Sequence, residues 1–315
     1  MRTGFGLERR TRVSIDEYVK KVIVAIAEND IREARKWAVI ALNNDSTKKN
    51  EGFVKKYKSI LTSAGANMIE LPMNLKDILL CEDVSVSFKE GRYYATEQQN
   101  QIAHEIFRMA KVSGKLMEMK IPYKNATLLY GPPGTGKTLF GKYIAYKMGL
   151  PFCYLNFSRV INSYMGATSQ NIAKAFAYAS ANPCVLMLDE VDTISCNRTG
   201  KMSGGAEKEI GRVTVTLMQE LDKLPNDVVL IAATNRFDML DEAFISRCSL
   251  KYEMPPFTEE ESRKMVCKFL SDVKFDISEN EIDRIVKNEK DQRSIMASVI
   301  RAIANTLDCG EVKHE

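Results

Sequence analysis

The sequence predicts an α/β protein: a parallel β-sheet with helices on both faces, a small helical domain before it and a helical lid after it. Three observations carry this expectation. From residue 126 onward, short apolar runs at 127–130, 184–188 and 228–232 alternate with helical stretches, as in a buried parallel sheet whose strands are joined through helices. Before residue 65, apolar residues recur only at helical spacing, and beyond Pro255-Pro256 the strand pattern stops and the rest reads as helix. At 315 residues the chain suffices for two domains, or one large domain with an appendage. The expected division is 1–82 for the N-terminal helical domain and linker, 83–256 for the α/β domain and 257–315 for the lid.

In the N-terminal part, Ile15, Tyr18, Val19, Val22, Ile23 and Ile26 mark one amphipathic helix, and Ile31, Ala34, Ala38, Ala41 and Leu42 a second. After a polar loop, Phe53, Val54, Tyr57, Ile60 and Leu61 mark a third, and the single Trp37 sits at the centre of this three-helix unit. Residues 65–91 read as a linker with possible short strands, and 98–119 as helix again. A hydrophobic content of 45% with 27% charged residues is ordinary globular composition, with no apolar run of membrane-spanning length. The net charge of +4 is uneven: residues 1–62 hold 14 Lys and Arg against 8 Asp and Glu, so the basic excess lies there. Such an excess fits either nucleic acid, an acidic protein or simply the solvated side of amphipathic helices. No secretory signal is expected, because the arginines of residues 1–12 have no apolar core behind them, and the cytoplasm is the default compartment. The seven cysteines are widely spaced and His104 and His314 are the only histidines, so neither a zinc site nor a disulfide is expected.

Chemistry enters at Gly131-Pro132-Pro133-Gly134-Thr135-Gly136-Lys137-Thr138, which follows a strand-like run and opens a helix. This is the G-x-x-x-x-G-K-[ST] phosphate loop in its proper setting. Its glycines let backbone N–H groups turn inward on a polyphosphate, and the helix N-terminus adds its positive end. Lys137 is expected to meet the β/γ-phosphate oxygens, and the Thr138 hydroxyl to ligate magnesium. The apolar run ending in Asp189-Glu190 supplies carboxylates at the carboxyl end of a parallel strand, where such sheets bind ligands. Asp189 is the expected magnesium partner and Glu190 the base that orients the attacking water. The run at 228–233 ends in Thr234-Asn235-Arg236, where the Asn235 amide is placed to bond the γ-phosphate or the water.

With these elements the chain resembles the AAA+ ATPases over residues 111–307: GPPGTGKT is similar to their Walker A, LMLDE to their Walker B and IAATNRFDMLDEAFISR to their second homology region. The resemblance implies a P-loop NTPase sheet with a helical lid, Mg-ATP as substrate, and nucleotide held between subunits of a ring, a hexamer. It implies that Pro133, Gly134, Thr135, Gly136, Lys137, Thr138, Leu139 and Asp189 hold the nucleotide, and that Arg247 is an arginine finger reaching a neighbour's γ-phosphate. Many protein-remodelling members carry two arginines separated by Pro-Gly at that point. Here Ser246-Arg247-Cys248 is similar to the clamp-loader version, as is Asp291-Gln292-Arg293-Ser294, which makes Arg293 the expected phosphate contact from the lid. Tyr164-Met165-Gly166, before a helix, instead resembles the first pore loop of threading members, and 203–206 fits a second pore-facing loop. The expected function is a cytoplasmic ring ATPase that remodels or unfolds a protein client, gripped by the N-terminal domain and the pore. The alternatives are a clamp or helicase loader acting on nucleic acid, and a nucleotide-dependent adaptor switch.

Overall fold

The computed structural model describes residues 16–27, 31–45, 47–62, 71, 75, 78–121, 123–157, 168–194 and 205–311. The chain divides into two units at residues 67/68. In the first, helices α1 (Glu17–Ala27), α2 (Ile31–Asn44) and α3 (Glu51–Thr62) are each too short to be stable alone. α1 and α2 pack through rings: Tyr18 and Trp37 stack with centroids 6.3 Å apart, and Lys21 Nζ lies 4.0 Å from the Trp37 centroid. Ala25 and Ala34 are buried there, while Ile23, Ile26 and Phe53 stay exposed.

The second unit is built on six strands, β1 (Leu79–Glu82), β2 (Ala126–Tyr130), β3 (Phe152–Asn156), β4 (Val185–Asp189), β5 (Val229–Thr234) and β6 (Leu250–Glu253). Their order across the sheet is β1-β3-β4-β5-β2-β6. β2 to β6 are parallel, and β1 lies antiparallel to β3 at one edge. Helices between strands are α4 (Val84–Ser87), α5 (Glu97–Glu118), α6 (Lys137–Met148), α7 (Thr168–Ala181), α8 (Gly205–Lys223) and α9 (Glu242–Arg247).

Side chains alternate along each strand, and the two faces therefore build two cores. Leu128, Leu186, Leu188 and Leu230 pack with Phe176 of α7 and Leu217 and Leu221 of α8. Leu129, Val185, Met187 and Ile231 pack with Ile106 of α5 and Phe140 and Ile144 of α6. Helices therefore cover both faces, and every residue of β5 is buried. Burial of one such aliphatic side chain is worth about 1.5–3 kcal/mol, which makes the central strands the stable frame of the site.

After Pro255-Pro256, α10 (Glu259–Val273), α11 (Glu279–Asn288) and α12 (Gln292–Glu311) form the lid around Val266, Ile285, Ile295 and Val299. Thr258 and Glu261 close a capping box that starts α10, and Arg92 Nε donates to Asp272 Oδ2 at 2.6 Å, tying the lid to the segment before α5. No described helix is long and apolar enough to cross a membrane.

β1 falls in the stretch read as a linker with possible short strands, on the N-terminal side of the boundary expected at 82/83, and it is hydrogen-bonded into the sheet. In that ladder Cys81 faces Cys153, and the two form a disulfide with Cα atoms 4.2 Å apart. The expectation of no disulfide is thus corrected. Pairing across 72 residues is set by strand register, which cysteine spacing does not reveal.

Candidate functional site

The loop between β2 and α6 is shaped by three glycines with positive φ: Gly131 at 145°, Gly134 at 84° and Gly136 at 84°. Two are also enforced by crowding. A Cβ on Gly131 would lie 2.4 Å from the Met254 carbonyl oxygen, and one on Gly134 would lie 2.2 Å from Asp291 Oδ1 of the lid. The second contact sets the start of α12 directly against the loop.

Lys137 opens α6 with its side chain buried. Its Nζ donates to the carbonyls of Gly131 and Pro132, both at 2.8 Å, so the loop curls around its own cation. Burial pushes this ammonium down to about 8; Asp189 and Asp192 pull it back up, and the positive charge of Arg293 adds to the lowering. Those three charges therefore surround the loop lysine. Pro133 and Leu139 are exposed, while Thr135 is buried and donates to the Pro132 carbonyl at 3.0 Å.

Thr138 Oγ1 donates to Asp189 Oδ2 at 2.8 Å, joining the first turn of α6 to the end of β4. The Tyr154 hydroxyl of β3 donates to the same oxygen at 3.3 Å, and the Glu190 amide donates to Asp189 Oδ1 at 3.0 Å. Oxygen donors from a hydroxyl and a carboxylate this close suit magnesium, which takes one or two protein ligands and fills the rest of its octahedron with phosphate and water. Among the described residues no group of three or more His, Cys, Asp or Glu is gathered to hold a metal on its own. Glu190 follows in the left-handed region at φ 57°, ψ 42°. Asn235 follows the buried Thr234, whose hydroxyl donates to Asp192 Oδ1 at 2.6 Å and accepts from the Arg236 amide at 2.9 Å, and its side chain is exposed. Lys137, Thr138, Asp189, Glu190 and Asn235 thus meet at the carboxyl ends of β2, β4 and β5.

Arg247 does not join them. Its guanidinium grips Asp222 of α8 through Nε and Nη2 at 2.9 and 3.0 Å, and bonds the Ala243 carbonyl at 2.9 Å. It lines a cavity of about 480 Å³ with Tyr123, Lys124 and Ser249, at the amino end of β2. Arg293 lies exposed in the first turn of α12, where its amide bonds the N-cap Asp291. Tyr164, Met165 and Gly166 lie outside the described residues, as do residues 203 and 204 of the second expected pore-facing loop. Sequence reasoning did not single out Tyr154, Asp192 or Asp222, each of which reaches its partner only through the fold, nor the approach of Asp291 to Gly134. The one available signal was an aspartate two residues past Glu190.

The family model for the ATPase family associated with various cellular activities (AAA) matches residues 127–256, a span that holds the loop, Asp189-Glu190, Asn235 and Arg247. That match and the relatives below support an AAA ATPase domain over this span. A second model, for parvovirus non-structural protein NS1, matches residues 11–182 and ends before β4, so it contains the loop lysine but neither carboxylate, nor Asn235 or Arg247. Among curated AAA relatives, the 26S proteasome regulatory subunit 8 homolog of Schizosaccharomyces pombe is 27% identical over 259 residues, 80% of this chain and 60% of its own. The proteasome-activating nucleotidase of Methanococcus maripaludis is 38% identical over 121 residues, 38% of this chain and 30% of its own. The chain therefore spans 60% or less of these two relatives. The crystal structure of the FIGL-1 AAA domain superposes with a TM-score of 0.57 at 18% identity, covering 86% of each chain, and its ADP complex with 0.53 at 21%, covering 70% and 74%. Both share the α/β P-loop NTPase fold with its helical parts.

Proposed function

We propose that the chain is an Mg-ATP hydrolase that assembles as a ring, a hexamer, and uses ATP hydrolysis to remodel or unfold a protein. The observation that carries the chemistry is the convergence of Lys137, Thr138, Asp189 and Glu190 on one rim, linked by the Thr138–Asp189 hydrogen bond. In this reading the Lys137 ammonium exchanges its two loop carbonyls for β- and γ-phosphate oxygens, and the loop amides hold the remaining negative charge. Thr138 and Asp189 would hold magnesium, which screens the phosphates as charge moves to the leaving oxygen. Glu190 orients water toward the γ-phosphorus, Asn235 bonds the water or the phosphate, and Arg293 approaches from the lid.

The position of Arg247 supports a site shared between subunits. A five-residue strand spans roughly 16 Å, and Arg247 stands at the amino end of β2 while Gly131 follows its carboxyl end. It stands too far away to serve its own loop, and in this reading it releases Asp222 to serve a neighbour's. Protein remodelling is supported by the relatives, which are named as proteasome regulatory subunits and a proteasome-activating nucleotidase. The client would reach the N-terminal helices and Tyr164, Met165 and Gly166 in the cytoplasm. The decisive experiment is a pull-down with Glu190→Gln. It should keep ATP affinity, lose hydrolysis by orders of magnitude and retain a protein client in ATP. Loss of ATP binding would make Glu190 structural, and retention of DNA in place of protein, weakened by salt, would favour the loader alternative that the basic N-terminal segment allows.

A further inference from the structure

Asp189 is held by more than the helix that follows the phosphate loop. Its Oδ2 accepts from Thr138 at 2.8 Å and from the Tyr154 hydroxyl at 3.3 Å, and its Oδ1 accepts from the Glu190 amide at 3.0 Å. Strand register explains how a tyrosine reaches that carboxylate. In the β3–β4 ladder Phe152 lies beside Val185, Tyr154 beside Met187 and Asn156 beside Asp189. Residues two apart on a strand share a face, so Tyr154 and Asp189 are diagonal neighbours on the face covered by α6. Aromatic side chains are long enough to span such diagonals. The Tyr154 ring is half-buried in the core beneath α6, with its centroid 6.3 Å from that of Phe152.

We infer that Tyr154 is a positioning residue for the magnesium ligand Asp189, and that it sets the affinity of the site for the metal through the orientation of that carboxylate. The inference rests on the Mg-ATP reading proposed above. Thr138 and Asp189 are the proposed metal donors, and a carboxylate that turns about its own bond presents its oxygens poorly. Tyr154 stands outside that pair and is anchored on β3, where Phe152, Cys153 and Leu155 are buried. A tyrosine has only two side-chain torsions to fix, so its ring delivers a hydroxyl donor at low entropic cost. Groups that hydrogen-bond a metal-ligating side chain in this way typically contribute about 10–100-fold to metal affinity.

The test is Tyr154→Phe in the full chain, which removes the hydroxyl and keeps the ring. Calorimetry measures binding of the hydrolysis-resistant β,γ-imido analogue of ATP in magnesium and in excess EDTA. Affinity in EDTA should match the parent, while the magnesium concentration needed for tight binding should rise roughly tenfold. Turnover should show the same rise in magnesium requirement, with a smaller change in kcat. The nucleotide-free melting temperature should stay within about 4 °C, the effect of one lost hydrogen bond. On an Asp189→Ala chain, where the hydroxyl has lost its acceptor, the same change should add no further loss of magnesium dependence. An unchanged magnesium requirement, equal losses with and without magnesium, or a full effect on the Asp189→Ala chain overturns the assignment. So does a larger fall in melting temperature with loss of binding in both conditions, which makes Tyr154 structural. A parent that binds no analogue, or binds it equally well in EDTA, removes the Mg-ATP reading itself and this inference with it, and the parent's own titration therefore separates the two failures.

Discussion

Opening the Cys81–Cys153 bond should cost the α/β and lid unit a large part of its stability. The bond closes a loop of 72 residues, and in the chain-entropy relation it removes roughly 15 cal/mol/K from the unfolded ensemble, about 4.4 kcal/mol at 25 °C. For a unit running from residue 68 to 315, at about 2 °C per kcal/mol, the melting temperature should fall by about 9 °C as an upper figure. The assay is thermal unfolding of the oxidised protein with and without reductant, beside Cys153→Ala, in which reductant should change nothing. Thiol titration of the denatured, unreduced protein gives the count: with the bond in place it should read two thiols fewer than the seven cysteines found after reduction. Seven thiols together with a melting temperature indifferent to reductant would refute the reasoning. The bond also adjoins Tyr154, the donor to Asp189, so reduction should loosen the carboxylate that the proposed metal needs. Disulfides persist in oxidising compartments and are held open by cytosolic thiol pools, and the same titration on freshly isolated protein therefore reports the state in which the chain works.

Two further outcomes test the assembly. Arg247→Ala and Lys137→Ala chains, each inactive alone, should regain part of their ATP turnover when mixed, because mixed rings contain intact shared sites; turnover at full rate by a monomer would exclude such sites. Tyr164→Ala should keep basal hydrolysis within a few-fold while losing stimulation by a protein client, whereas a packed tyrosine would instead cost about 3–5 kcal/mol and lower the melting temperature.

The phosphate loop is legible in the sequence because its chemistry demands particular residues at particular spacing, and β2, β4 and β5 are legible because strands buried on both faces read as unbroken apolar runs. β6 is not, since Leu250-Lys251-Tyr252-Glu253 alternates between half-buried and exposed positions over four residues at the sheet edge. β3 carries a tyrosine and an asparagine within five residues, and β1 gains its identity only by pairing antiparallel to it. Contacts such as Tyr154 to Asp189, Arg247 to Asp222 and Asp291 over Gly134 join positions 25 or more residues apart. Residue type signals a polar group at each place, but its partner is chosen by strand order and by the lid.

Backbone strain locates the same site without reference to motifs. Among the described residues, positive φ angles outside the loop fall at Lys120, Gly149, Glu190 and Lys274. Gly149 and Lys274 end α6 and α10, where a left-handed residue satisfies the last carbonyls, and Lys120 lies in the turn after α5. Glu190 ends no α-helix. It adopts a conformation that costs a residue with a Cβ on the order of 1 kcal/mol, directly after the strand that carries Asp189. A buried lysine held below its ordinary pKa, this glutamate and the unpartnered Gln292 are each unfavourable to folding, and they lie about one rim of the sheet. The central strands, with β5 buried along its whole length, supply the stability that holds these residues in place. A chain selected for stability alone would relax each of them, and their concentration there argues that the fold maintains this rim for a ligand that offsets the cost.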